Sequence, residues 1–257
     1  MTDYLKFKEL HYQSKPLLLG NAWNIQSARV FEKSGFQAIG TSSAAIAHTL
    51  GYEDGQQMPF ADLLFIVEKI KRNTHLPLTV DIEFGYGKTP NEVANNIEKL
   101  YQLGVAGINI EDSCFENSER KLKPENIFFH FLKEIIEELH SRNIQIFINV
   151  RCDAFLLQLP NALKETLNRI ELYQQLSIDG IFIPCITSIK EMKQMVSKTK
   201  LPLNVMCMPE LPGFETLSEL GIKRISMGNF LNDFSYRALE TVSEKIITDQ
   251  SFHTLWN

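Results

Sequence analysis

The stretch from Leu76 to Val93, LPLTVDIEFGYGKTPNEV, begins as an apolar run, stops on two carboxylates, Asp81 and Glu83, and then turns through Gly85 and Gly87. A strand built for burial has no reason of its own to end on acids. In a parallel barrel it has one, because the carboxyl ends of the strands form the mouth where substrates bind. Residues two apart on a strand share a face, so Asp81 and Glu83 are expected to point the same way.

Similar apolar runs recur on both sides of this stretch: PLLLG from Pro16, QAIGTS from Gln37, AGINIE from Ala106, IQIFINVR from Ile144, DGIFIP from Asp179, PLNVM from Pro202 and KRISMG from Lys223. Amphipathic segments separate them. In NEVANNIEKLYQLG, Val93, Ile97, Leu100 and Tyr101 fall on one helical face, and in NIFFHFLKEIIEELH the same holds for Phe128, Leu132, Ile135 and Ile136. KSGFQAIG, QLGVAGIN, SIDGIFIP and ELGIKRIS each close a helix with a glycine or small polar turn that sends the chain into the next strand. Eight strand–helix alternations in 257 residues match a single α/β domain over residues 1–257, a (β/α)8 barrel of the TIM type. The last segment, from Asp233, reads as one or two terminal helices.

The formal charge of −5 supplies no basic field for nucleic acid. Cys114, Cys152, Cys185 and Cys207 lie far apart without a CxxC pair or a Cys/His cluster, so no zinc or dithiol site is written here, and reduced thiols in a cytoplasmic protein are expected. No apolar window reaches the roughly 18 residues a membrane helix requires, and the first residues lack the apolar core of an export signal.

On this strand assignment several strand ends are polar: Ser42 and Ser43 after the second, Asp81 and Glu83 on the third, Glu111 and Asp112 on the fourth, Arg151 on the fifth. Asp81, Glu83 and Glu111 should converge at the mouth, and like charges so placed need a proton or a cation between them. Mg2+ takes oxygen ligands, keeps several waters and needs only one or two direct carboxylates. Arg151 offers a planar fork for a carboxylate or phosphoryl group, so a small 2-oxo acid fits between cation and arginine. Backbone amides around TSSAA add donors for an anion if they open the following helix. The charge to be stabilised is then that of an enolate.

The ordered segments GNAWNIQSARVFEKSGFQAIGTSSAAIAHTLGYEDG, VDIEFGYG, GINIEDS, NVRCDAF and PLNVM…LSELGIKRISMG resemble the isocitrate lyase/phosphoenolpyruvate mutase superfamily from about Leu17 to about Leu231. The resemblance implies a barrel whose last helix is exchanged between subunits of a homodimer or homotetramer, and a Mg2+ site for 2-oxo acid or enolate chemistry. It implies Asp81 as direct metal ligand, with Glu83 and Glu111 reaching the ion through water. Arg151 becomes the substrate-binding arginine, Ser42 and Ser43 the carboxylate-binding turn, Trp23 the aromatic at the first strand end, and Asp54 an acidic catalytic residue of the loop beyond.

Departures from the family pattern narrow the chemistry. Glu83 stands where an aspartate is commonest, and Asn24 where an aspartate often follows the tryptophan. After Glu111, isocitrate-type lyases carry a Lys-Lys/Arg-Cys-Gly-His loop, but here the loop reads DSCFENSERKLKPEN. Cys114 has no cation within two positions, so it should keep an ordinary thiol pKa, and cleavage of isocitrate itself is not expected. Asn117, Arg120, Lys121 and Lys123 only loosely replace the lysine and asparagine that phosphonate mutases use, and SERKLK reads as a solvated basic run. The expected function is a Mg2+-dependent carbon–carbon lyase on a small 2-oxo or 2-hydroxy dicarboxylate. The alternatives are a phosphonopyruvate mutase or hydrolase, and a barrel that binds 2-oxo acids without turnover.

Overall fold

The computed structural model describes residues 2–55, 57–117 and 119–256. Eight parallel strands close into a barrel: β1 (Leu17–Ala22), β2 (Ile39–Thr41), β3 (Leu78–Asp81), β4 (Gly107–Glu111), β7 (Phe147–Arg151), β8 (Gly180–Ile183), β9 (Leu203–Met206) and β10 (Arg224–Ser226). Each overlaps one of the eight apolar runs. Between β4 and β7 the chain adds an antiparallel hairpin, β5 (Ser113–Glu116) and β6 (Glu119–Leu122), that the sequence reading took for a loop.

The helices are α1 (Asp3–Leu10), α2 (Ile25–Lys33), α3 (Ser43–Thr49), α4 (Phe60–Lys71), α5 (Pro90–Gln102), α6 (Glu125–Ser141), α7 (Ala162–Tyr173), α8 (Ile189–Lys198), α9 (Phe214–Leu220) and α10 (Phe230–Asp249), with a short 3-10 turn, His253–Leu255, near the end. α5 shows how local sequence fixes an element. Thr89 caps the helix, Glu92 returns the bond to the cap backbone and Pro90 fits the first turn. Gly104, at φ 83°, then turns the chain into β4. Val93, Ala94, Ile97 and Leu100 are buried, each large side chain contributing about 1.5–3 kcal/mol. Tyr101, expected on that face, is exposed instead. Strands covered on both faces read as continuous apolar runs, which is why they were legible.

Below the mouth the barrel interior is polar. Asn149 donates to Asn109 at 2.9 Å and to Asn204 at 3.3 Å, and Asn204 reaches Ser226 at 3.2 Å. At the amino ends of the strands α1 closes the floor. The fully buried Phe7 meets Phe147 edge-on at 5.2 Å, and Gly107 leaves room for the Phe7 ring because a Cβ there would lie 3.1 Å from it. Lys8 anchors α1 on Asp179 at 2.7 Å. At the far end of the chain, α10 buries only Asn232 and exposes Phe234, Tyr236, Leu239 and Ile247. No helix among the described residues is long and apolar enough to cross a membrane.

Candidate active site

Asp81 is the last residue of β3, and two groups fix its carboxylate while a third holds its backbone. Ser43 Oγ donates to Oδ2 at 3.0 Å, Glu83 N–H donates to Oδ1 at 3.3 Å, and the Asp81 N–H is held by Thr41 Oγ1 at 2.9 Å. The shared strand face expected for Asp81 and Glu83 is not how they meet. The strand ends at Asp81, and Glu83 takes the left-handed conformation, φ 50°, in the turn beyond. Its buried side chain accepts from Tyr86 Oη at 2.8 Å, while Oε2 has no hydrogen-bond partner among the described residues.

Glu111 ends β4 in register with Arg151 on β7. Arg151 Nη1 lies 3.0 Å from Glu111 Oε2, and its Nε donates to Asp153 Oδ1 at 2.5 Å. Asp153 is fully buried and also accepts from Ser113 Oγ at 2.5 Å. Asp112 turns away from the mouth, where Arg169 at 3.0 Å and the Asp153 N–H at 3.0 Å make it an anchor for the base of the hairpin.

Arg120, on β6, is the residue the sequence reading missed. Its Nη1 contacts Glu111 and reaches Asp153 at 3.3 Å, and Nη2 reaches Asp54 at 3.3 Å. SERKLK is therefore not a uniformly solvated run. Alternation along β6 turns Arg120 inward, its side chain 13% exposed, and leaves Lys121 in solvent at 46%.

These residues surround a cavity of about 360 Å3 at the mouth, with Ser42, Ser43, Asp54, Asp81, Arg120 and Arg151 on its polar side and Leu156, Leu157, Phe182 and Met206 on its apolar side. A larger open groove of about 670 Å3 lies between α7 and α8, but Lys164, Glu171 and Lys198 in it are exposed and Glu191 is only half-buried, so the chemistry belongs to the mouth. Trp23 does not line the mouth cavity and packs, half-buried, against the core. Asn24 caps α2 through Ser27 at 2.9 Å, and Ser42 caps the short α3.

Burial pushes the Glu83 carboxyl up to about 7, with Asp54 adding to it and Tyr86 opposing. Burial likewise pushes Glu111 up to about 8 against the pull of Arg151 and Arg120, and raises Asp81 against Arg151. Arg151 stays charged despite its burial, because Asp153, Glu111 and Asp81 surround it. Five carboxyl groups, Asp54, Asp81, Glu83, Glu111 and Asp153, thus share two guanidinium groups.

Among the described residues no three His, Cys, Asp or Glu side chains are grouped closely enough to hold a metal ion. Asp81, Glu83 and Glu111 are held apart by their partners: Tyr86 holds Glu83, the two arginines hold Glu111, and Asp81 is the one of the three that lines the cavity. The donor chemistry still fits a hydrated divalent ion. Such an ion needs one or two carboxylates, Asp81 faces the cavity, and the buried Glu83 Oε2 and Asp54 Oδ1 lack hydrogen-bond partners.

A closed parallel barrel with acids and arginines gathered at its carboxyl mouth is the frame of a (β/α)8 enzyme. The model of the phosphoenolpyruvate phosphomutase family matches residues 7–247, and the chain belongs to that family, within the phosphoenolpyruvate mutase/isocitrate lyase superfamily. An uncharacterized protein of Mycobacterium tuberculosis is 30% identical over 88% of this chain and 82% of its own length. The 2-methylisocitrate lyase of Shewanella oneidensis is 26% identical over 77% of this chain and 68% of its own. The crystal structure of a candidate phosphonomutase from Burkholderia cenocepacia superposes with a TM-score of 0.88 at 33% identity, covering 94% of this chain and 99% of that one. The relatives whose activity is known include a phosphoenolpyruvate phosphomutase and 2-methylisocitrate lyases, and this chain is an enzyme of the same family.

Proposed function

We propose that the protein is a Mg2+-dependent lyase that cleaves a carbon–carbon bond in a small 2-oxo or 2-hydroxy dicarboxylate through a pyruvate-type enolate. The observation that carries this reading is the charge arrangement of the mouth: Arg151 and Asp81 line one cavity, and with Glu83, Glu111 and Asp153 buried behind its lining five carboxyl groups share two guanidinium groups. An anionic substrate is repelled from such a site until a cation joins it. Asp81 is the residue that would hold Mg2+, with Glu83 and Glu111 behind it, and the ion would supply positive charge for a developing enolate oxygen. Arg151, oriented by Asp153 and Glu111, would offer its remaining Nη hydrogens to a substrate carboxylate. Ser43 and the Glu83 N–H keep Asp81 oriented, and Leu156, Leu157, Phe182 and Met206 exclude water from the carbon side of the substrate. Asp54, held by Arg120, is placed to act on the substrate from the loop side.

A phosphonomutase or phosphonate hydrolase is the second reading, favoured by the second guanidinium, Arg120, beside Arg151. It ranks lower because Arg120 already faces three carboxylates. We also propose a homodimer or homotetramer in which α10 is exchanged. The groove of about 490 Å3 between β1, β10 and α9, lined by Leu18, Ile225 and the exposed Phe214, is where an eighth barrel helix belongs, and α10 of the same chain does not line it. Sedimentation of full-length protein against a variant truncated before α10 tests that arrangement.

The test of function is a panel of oxaloacetate, methylisocitrate, 2,3-dialkylmalates and phosphonopyruvate, with Mg2+ and with chelator. Release of a pyruvate-type product from a dicarboxylate only with Mg2+ supports the lyase. Turnover confined to phosphonopyruvate establishes the second reading. Binding of pyruvate or oxalate without turnover of any compound marks a non-catalytic barrel.

A further inference from the structure

We propose that Arg120 is a tethered counter-cation: in the metal-free protein it pairs with Glu111 and Asp54, the carboxylates beside the position Asp81 offers a divalent ion, so metal loading and seating of the β5–β6 hairpin oppose one another. This rests on the Mg2+ reading above and adds to it a residue that controls the site.

The guanidinium is inserted among Glu111, Asp153 and Asp54, with Ser113 Oγ at 3.1 Å. It arrives there on a hairpin whose outward residues are in solvent, Glu119 at 74% and Lys121 at 46%. The hairpin is seated at few points. Phe115, opposite Arg120 in the ladder, carries the guanidinium over its ring at 4.8 Å and covers Gly55. Gly55 permits that contact because a Cβ there would lie 2.4 Å from the Phe115 ring, and its φ of +105° suits glycine. At the base, the Lys123 N–H donates to Asp112 O at 2.9 Å and Lys123 O accepts from Arg169 at 2.9 Å. Base and far end thus differ among the described residues: the base is tied through the Lys123 backbone and by Ser113 on Asp153, whereas farther out the contacts are those of Phe115 and the ion pairs of Arg120.

Two cations cannot share Glu111 and Asp54 without repelling each other. Arg151 is fixed within a barrel strand and cannot withdraw, but Arg120, on the hairpin, can. Coupling between binding equilibria is reciprocal, so whatever seats the hairpin weakens metal binding, and metal binding loosens the hairpin by the same free energy.

The test is Mg2+ titration by calorimetry of wild type, Arg120→Met and Phe115→Ala, joined to hydrogen exchange across residues 113–122. Arg120→Met should bind Mg2+ about tenfold tighter or more. Phe115→Ala, which keeps the charge but loosens its seat, should tighten binding by a smaller factor. In wild type, Mg2+ should accelerate exchange in the hairpin and leave α5 unchanged. Equal Mg2+ affinity in wild type and Arg120→Met overturns the inference and leaves the Mg2+ reading intact. Tighter binding with hairpin exchange unchanged or slowed reduces Arg120 to a nearby charge and also overturns it. Absence of Mg2+ binding in both wild type and Arg120→Met overturns inference and Mg2+ reading together.

Discussion

At the carboxyl ends of the strands Glu111 and Asp153 are buried, and Asp81, Arg120 and Arg151 half-buried, in one another's company, whereas at the amino ends His11 and Arg224 are buried among aromatic rings. Arg224 spans the lumen to Asn109 at 3.3 Å, its Nε and Nη1 have no hydrogen-bond partner, and burial brings its pKa down to about 9. His11 stacks on Phe147 at 4.3 Å, bonds Phe7 O through Nδ1 at 2.8 Å and leaves Nε2 unpaired. Charges that partner one another hold open a cavity and a state for a ligand to complete. Charges isolated under a plug report on the integrity of the fold. Substitutions at the mouth should therefore change chemistry at constant stability, and substitutions at the floor should do the reverse.

The largest effect should come from Asp81→Ala. Mg2+ binding is lost and turnover on the substrate found by the panel falls about a thousandfold or more. Because burial raises the pKa of Asp81, its charge destabilises the folded state at neutral pH, so the melting temperature should not fall. A simultaneous collapse of stability would move Asp81 from the site into the scaffold. Phe7→Ala is the matching test at the floor. It should cost about 3–5 kcal/mol in urea unfolding, with Mg2+ affinity of the folded protein unchanged. An altered Mg2+ affinity there would show that the two ends communicate.

Arg151→Lys comes next and should weaken substrate binding nearly as much as Arg151→Ala, about a hundredfold, since a point charge cannot replace the fork that also spans Asp153 and Glu111. Normal binding by the lysine variant, in a substrate titration, would leave Arg151 as an ion-pair partner of Asp153 alone.

How far the sequence revealed these two ends follows from periodicity. The barrel strands were all legible because double-sided burial writes apolar runs. Asp81, Glu111 and Arg151 were legible because each ends such a run. Arg120 was not, because in the four residues of β6 alternation looks like a mixed charge run, and only pairing with Ser113–Glu116 shows which side chains face in. Asp153 was weighed only as the partner of Arg151, although it also receives Ser113 and Arg120 from the hairpin. The floor was missed for a similar reason. α1 contributes just Phe7 and Leu10 as buried residues, too few to register as an apolar segment.

A smaller effect separates the two ends by pH. Burial, with help from Arg224, pushes His11 from 6.5 down to about 3. Its folded pKa lies below its unfolded value, so between those limits the unfolded chain binds the additional proton. The stability contribution is complete above 6.5 and drains away as pH falls, by about 2 kcal/mol at about pH 5. The raised carboxyls of the mouth act with the opposite sign, since protonation relieves their cost in the folded state. Urea unfolding at neutral pH and at about pH 5 should show His11→Phe losing about 2 kcal/mol less stability on acidification than wild type. Equal losses would mean that α1 detaches before His11 is protonated.

The smallest effect should be that of Cys114→Ser, and it decides whether the hairpin works as the loop of an isocitrate-type lyase. Cys114 is half-buried on β5, and in the ladder it faces Lys121, whose ammonium lies largely in solvent. Burial is the strongest influence on its thiol and raises the pKa, and the charge of Lys123 lowers it without reversing that direction. The thiol is therefore protonated at neutral pH, where it is a poor base and a poor nucleophile. The cation that the hairpin does carry inward, Arg120, is spent on Glu111, Asp153 and Asp54 rather than on sulfur. Turnover by Cys114→Ser should stay within about twofold of wild type, and iodoacetamide should react slowly at Cys114 with no protection by substrate. A loss of several orders of magnitude with Mg2+ binding intact would mean that the hairpin rearranges during turnover and brings Lys121 or Lys123 onto the sulfur. The cysteine would then be the proton-transfer group, and Arg120 would have to leave its carboxylates for that rearrangement to occur.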